Sequence, residues 1–307
     1  MLVTTITALL AAALFGVSTA FQHRSAALVS DGPQASERLG RFMAKTLSHP
    51  LWIIGAVADL GGFGLHALAL RLGPLTVVQP VLVSSIVFAV VLRQLLERRW
   101  PRRDELTWAT ALTLGLVLFL SISTPAGHVA QRADPVPAAV VGALIGLSVL
   151  GFFAGGRRYS GSAAAALLGT AAGLSYAALA GLLKQDMVLL KSGVGVLAAS
   201  WPLYALIAVG AFSLVVTQLA YRAGPLSSSL PTIMTVDALV SLVIGASVFD
   251  EGFRNGAADI LGEAAGLALL LAGAVGLTRS GPEPAGARGQ SPFPVARCAP
   301  RTGVLTQ

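Results

Sequence analysis

The chain has 307 residues, 55 % of them hydrophobic and 11 % charged, with a mean hydropathy of +0.76 and a formal net charge of +7. Soluble domains are about one-quarter charged, so 21 basic and 14 acidic side chains are too few to cover a water-soluble fold of this length. A soluble enzyme and a disordered chain are excluded, and the single cysteine, Cys298, excludes a disulfide scaffold.

A bilayer-spanning helix takes roughly 20 predominantly apolar residues. Nine runs meet that requirement, at 3–22, 50–70, 75–96, 105–124, 136–154, 162–184, 201–221, 226–249 and 259–278. The first begins at Met1 with no basic residue ahead of it, so it lacks the n-region of a signal peptide and is read as a mature helix. Stretches such as Ala163–Leu168 and Leu267–Leu271 do not alternate apolar with polar, which argues against barrel strands. The expected fold class is an all-α polytopic membrane protein with nine transmembrane helices. Segment 31–48 reads as a polar loop or short surface helix, and the Pro/Gly/Ala/Arg-rich tail 279–307 as disordered.

With nine spans the connecting segments fall alternately on two sides. Sixteen of the 21 Lys and Arg lie on the side of 23–49, 93–104, 157–161, 222–225 and 279–307; five lie on the other. The positive-inside rule then places the N-terminus outside and the C-terminus in the cytoplasm. The cluster Arg98, Arg99, Arg102 and Arg103 dominates this bias and could touch anionic headgroups. Basic loops that set orientation account for the high pI, so nucleic acid is not an expected partner. The expected location is the plasma membrane, and the Arg-over-Lys, Ala/Gly-rich composition points to a GC-rich bacterial genome.

Two stretches repeat. Arg71-Leu-Gly-Pro-Leu-Thr-Val-Val-Gln-Pro80 joins the second and third spans, and Arg222-Ala-Gly-Pro-Leu-Ser-Ser-Ser-Leu-Pro231 joins the seventh and eighth. Both read R-x-G-P-L-[ST]-x-x-x-P. Gly16-Val-Ser-Thr-Ala20 in the first span likewise matches Gly173-Leu-Ser-Tyr-Ala177 in the sixth. Copies five spans apart cross in opposite senses, so this is an inverted-topology repeat, a device of many secondary transporters. The chain divides into a first repeat at 1–124, the fifth span with its loops at 125–161, a second repeat at 162–278 and the tail at 279–307.

The two Gly-Pro junctions and the Val248-Phe-Asp-Glu251 ending of the eighth span resemble the drug/metabolite transporter superfamily. Nine spans, an outside N-terminus and Trp52-x-x-Gly55 are most similar to its NIPA-like magnesium transporter branch, with the EamA-like permeases next. The resemblance covers nearly all of 1–278. It implies a 4+1+4 inverted repeat, alternating access, and either a divalent cation such as Mg²⁺ or an organic metabolite or drug exchanged for protons.

Ionisable groups at bilayer depth are functional candidates by default. Asp59 lies near the middle of the second span, with His66 seven residues on, nearly on the same face, and Gly62 between them. Asp237 lies near the middle of the eighth span, with Ser241 one turn on. Asp59 and Asp237 could attract a cation, as Mg²⁺ takes only one or two carboxylates, or carry protons; each could also be a satisfied structural acid. Pro80 and Pro231 remove backbone donors and are expected to kink their helices. With Gly73, Pro74, Gly224 and Pro225 they mark the helix breaks that line a transporter site. Gln79, Ser84, Ser228, Ser229, Thr232 and Thr235 would supply polar lining. Arg93 and Glu97 form an expected i, i+4 pair, and Lys184 and Asp186, at the end of the sixth span, are expected to snorkel. No P-loop, H-E-x-x-H, C-x-x-C or G-x-S-x-G pattern is present, so no cofactor and no enzymatic role are expected. The expected function is a small-solute secondary transporter, with a membrane-embedded interaction subunit as the alternative. The expected partners are a small molecule or ion and membrane lipid, with the oligomeric state open.

Overall fold

The computed structural model describes residues 2–30, 44–45, 47–97, 100, 102–122, 133–224, 226–251 and 256–280. These residues form eleven helices and no strand: α1 (Leu2–Ser30), α2 (Pro50–Leu72), α3 (Leu75–Val83), α4 (Ser85–Glu97), α5 (Arg103–Ile122), α6 (Pro135–Gly156), α7 (Gly161–Leu190), α8 (Val194–Ala198), α9 (Trp201–Ala223), α10 (Leu226–Val248) and α11 (Ala257–Ser280). Among them nine helical stretches are long and apolar enough to cross a bilayer, with α3 and α4 together making one such stretch, Leu75–Leu95. The expected runs are reproduced to within a few residues, except that α1 continues from the expected end at 22 to Ser30 and α7 from 184 to Leu190. The chain is a multi-pass α-helical membrane protein.

In hydrocarbon every backbone polar group must be satisfied within the chain, which is why uninterrupted helices carry these runs. The helix starts follow local chemistry. Pro50 and Pro135 occupy first-turn positions where no N–H is missed, and the preceding His49 and Asp134 accept from Leu51 N (3.3 Å) and Val136 N (3.1 Å). Hydroxyls along the spans, including Thr107, Thr110, Ser121 and Ser247, donate to the carbonyl four residues back, hiding their polarity inside the helix.

Packing follows a doubled pattern. In the first half α1 lies against α2 and against the α3–α4 pair; in the second, α7 lies against α9 and α10. Across the halves α3 packs on α10 and α5 on α11, while α6 rests on α7 and α10. Glycine governs the closest approaches, as expected where helices in lipid associate by packing alone. A Cβ on Gly16 would lie 2.7 Å from Ser85 O, 2.5 Å from Phe88 Cβ and 2.9 Å from Ala89 N; one on Gly173 would lie 2.7 Å from Ile233 O, 2.9 Å from Val236 Cβ and 3.2 Å from Asp237 N. The two glycines that the sequence pairs therefore meet the same three atom types at the same i, i+3, i+4 spacing. The junction glycines behave alike: Gly73 and Gly224 are both extended, one against Thr4 near the start of α1 and the other against Gly161 at the start of α7.

The prolines do not behave alike. Helix breaks at Ser84, four residues beyond Pro80, where Ser84 N and Oγ both bond Val81 O (3.1 and 2.7 Å). In contrast α10 runs through Pro231 without interruption, correcting the expectation of equivalent helix breaks. Pro225 lies outside the described residues, as does most of the 279–307 tail.

The α5–α11 contact is backbone on backbone: a Cβ on Gly266 would fall 2.7 Å from Phe119 N, and one on Gly115 2.3 Å from Leu270 N. Gly266→Leu is therefore expected to destabilise the bundle by about 1–3 kcal/mol, the usual range for overpacking. Gly142→Leu, with open space around its α-carbon, is expected to leave the thermal melt of the detergent-solubilised protein unchanged.

Candidate functional site

Asp59 combines two properties that rarely coincide. It lies four residues after Gly55 and three before Gly62, both buried, and so on the inward stripe of α2. Its own side chain is nevertheless exposed. An inward-facing residue that stays accessible borders an open crevice within the bundle. Ser18 of α1 lies alongside, its carbonyl oxygen 3.1 Å from where a Cβ on Gly55 would stand, and Tyr176 of α7 and Tyr221 of α9 both stand within electrostatic range of Asp59.

Tyr176 is the hub of this crevice. Its hydroxyl accepts from Thr217 Oγ1 (3.2 Å) and also feels the charge of Asp237. Asp237 in turn accepts from Ser241 Oγ (3.2 Å), as its i, i+4 spacing on α10 allows. A glutamine relay runs along the same floor: Gln22 Nε2 donates to Ser18 Oγ (2.8 Å), and Gln218 Nε2 approaches Gln22 Oε1 at 3.5 Å. Gln218 Oε1 itself is buried without a protein partner, an acceptor left open. A carboxylate from each half thus lies within electrostatic reach of one tyrosine, among side chains that can ligate a cation or pass a proton.

Not every expected residue joins them. His66 and Gln79 are buried together, with 3.4 Å between Gln79 Nε2 and His66 Nε2, and Phe15 meets the imidazole edge-on. His66 sits about two turns beyond Asp59 along α2, some 10 Å, with Gln79 of α3 beside it. Thr235 turns away from Asp237 and lines a separate 680 Å³ cavity with Ser162, Ala166, Pro231, Thr232 and Arg279. Arg93 reaches Glu105 (3.8 Å), and Gln94 Nε2 reinforces Glu105 at 2.6 Å; the side chain of Glu97, its expected partner, lies outside the described residues. Among the described residues no three His, Cys, Asp or Glu come together as a metal cage. Thr217 and Gln218 were not among the expected site residues; their polarity inside an apolar span was the available signal.

Lys184 also departs from expectation. Its ammonium does not snorkel outward but is 3 % exposed and pairs with Glu251, itself 1 % exposed. Asp186, two residues on, is buried with neither oxygen bonded.

No family model matches the chain, and no solved structure matches it. An uncharacterized protein of Corynebacterium glutamicum is 27 % identical to it over 284 residues, which is 92 % of this chain and 96 % of that one. The similarity therefore embraces both halves and the span between them.

Accessibility at Asp59 is directly measurable. In the cysteine-free Cys298→Ser background, Asp59→Cys is expected to react readily with a charged methanethiosulfonate, and Ala69→Cys, fully buried on the same helix, to react at least about tenfold more slowly. Equal rates would refute an internal crevice.

Proposed function

We propose that the protein is a secondary transporter of the drug/metabolite transporter type, moving a small solute by alternating access between two inverted halves. The observation that carries this reading is that one carboxylate from each half, Asp59 on α2 and Asp237 on α10, lies within electrostatic reach of Tyr176 on α7. The midplane between the halves is where a transporter built from inverted repeats holds its ion or substrate. The matched seating of Gly16 and Gly173, and of Gly73 and Gly224, supports a common ancestry of the halves. Helices α1–α5 then form the first repeat, α6 the intervening span, and α7–α11 the second. The broken α3–α4 pair opposite the continuous α10 supports two halves held in different conformations, the asymmetry that alternating access requires. The positive-inside bias puts the N-terminus outside and the tail in the cytoplasm, in a plasma membrane.

Two carboxylates and several neutral oxygens suit a hydrated divalent cation such as Mg²⁺, which keeps most of its waters. The same pair suits a proton-coupled metabolite or drug, and the two tyrosines favour an organic cation in that case.

Proteoliposomes distinguish these. With a trapped indicator, Mg²⁺ entry is expected for the wild type, a loss of about tenfold or more for Asp59→Asn or Asp237→Asn, and abolition in the double variant. If Mg²⁺ does not move, proton-driven uptake of cationic metabolites is the expected activity, sensitive to the same substitutions. A folded, inserted protein that moves neither, nor any solute under a proton gradient, would overturn the transporter reading.

A further inference from the structure

Glu251 is held by three donors from two other helices. It follows Asp250, a non-glycine residue at φ +50°, which turns the chain back over the end of α10 so that Glu251 N bonds Gly245 O (3.0 Å). The carboxylate then crosses into the first half and closes the N-terminus of α3. Leu75 N donates to Oε1 at 2.9 Å and Thr76 N to Oε2 at 2.8 Å. Lys184 of α7 donates to the same Oε1, its ammonium resting 4.9 Å above the Phe249 ring. Gly245 makes the fit possible, since a Cβ there would stand 2.6 Å from Oε2.

Such an arrangement is expensive in any other setting: both charges are out of water, and only complete satisfaction of the carboxylate offsets their desolvation. Here three donors and the positive end of α3 supply it. Two straps lie alongside. Asp134 N bonds Val248 O (2.9 Å) and Ala133 N bonds Gln185 Oε1 (3.0 Å), fastening the start of α6 to the same end of α7 and α10. One end of the bundle is thereby knotted across both halves. The opposite end, where α7 and α10 begin and α11 finishes, holds the 680 Å³ cavity.

We propose that Glu251, with Lys184 and the α3 N-terminus, is the gate that seals this end while the Asp59–Asp237 crevice serves the other, and that its release opens the path past Val78 and Gln79. The proposal rests on the transporter reading for its place in a cycle, but the gate is testable without a substrate. Removing either charge leaves the other buried and unpaired, which disfavours the sealed state and favours one in which water reaches it.

The test uses the full-length Cys298→Ser protein in proteoliposomes with Val78→Cys, a fully buried reporter one turn into α3. Its labelling by a membrane-impermeant maleimide is expected to be slow, and to rise about tenfold or more with Glu251→Gln. Lys184→Met/Glu251→Gln, which leaves no orphan charge, keeps the experiment interpretable if the single variant misfolds. It is expected to show a gain as well, because the introduced amide offers one acceptor oxygen to the two α3 N–H groups and the tie to α7 is gone, with a normal gel-filtration profile and melt. Unchanged labelling in the folded double variant would overturn the gate. Solute flux in the same vesicles separates the two ideas: labelling without flux sustains the gate and removes the transporter reading, whereas flux with unchanged labelling does the reverse.

Discussion

Close approach of helix backbones at glycine is the constraint on which this bundle depends. Between apolar helices in lipid no hydrophobic force favours contact, so cohesion comes from van der Waals packing at the shortest separations the chain allows. Gly115 and Gly266 bring α5 and α11 together across the halves, while Gly16 and Gly173 seat α1 and α7 within them. At each of these sites a methyl group would meet backbone atoms, which cannot swing aside as a side chain can. The polar groups are held wherever this packing leaves them.

Those polar groups divide into two populations with opposite character. Around Tyr176 they are loosely arranged: three of the four bonds run 3.2–3.5 Å, Asp59 is accessible and the Gln218 oxygen is unpartnered. Around Glu251 they are saturated, with both carboxylate oxygens engaged by donors from two helices. An under-satisfied cluster can take a ligand with little rearrangement, whereas a saturated one resists change until its partners are removed together. On the transporter reading proposed above, the first kind serves to bind and the second to hold a conformation.

Much of the architecture is legible in the sequence because the bilayer imposes a length and a composition on each span, and nine runs satisfy both. The paired glycines were legible too, since the match between 16–20 and 173–177 is also a match of contacts. Asp59 and Asp237 stood out by rarity alone. What the sequence could not display was tertiary. Pro80 and Pro231 occupy the same place in the same motif, yet only the first precedes a break. Lys184 lies at a helix end, where a lysine ordinarily reaches for water; its inward course depends on a glutamate 67 residues away. Thr235 and Asp237 are two residues apart, but a helix sends such neighbours to opposite sides.

The length of α7 couples the protein to its surroundings. Thirty residues make a rod of about 45 Å, against a hydrocarbon layer of about 30 Å, and Lys184 stands roughly 35 Å along it. Measured from where α7 starts, that is the depth at which the hydrocarbon gives way to headgroups. Bilayer thickness therefore acts on the ion pair as a solvent variable. A thicker membrane draws Lys184 and Glu251 toward hydrocarbon, where separated charges are least tolerable. A thinner one lifts them toward hydrated headgroups and lowers the cost of parting. Under the proposed gate, the lipid composition of the host membrane thus enters the conformational balance of the protein through one helix that is longer than the hydrocarbon layer.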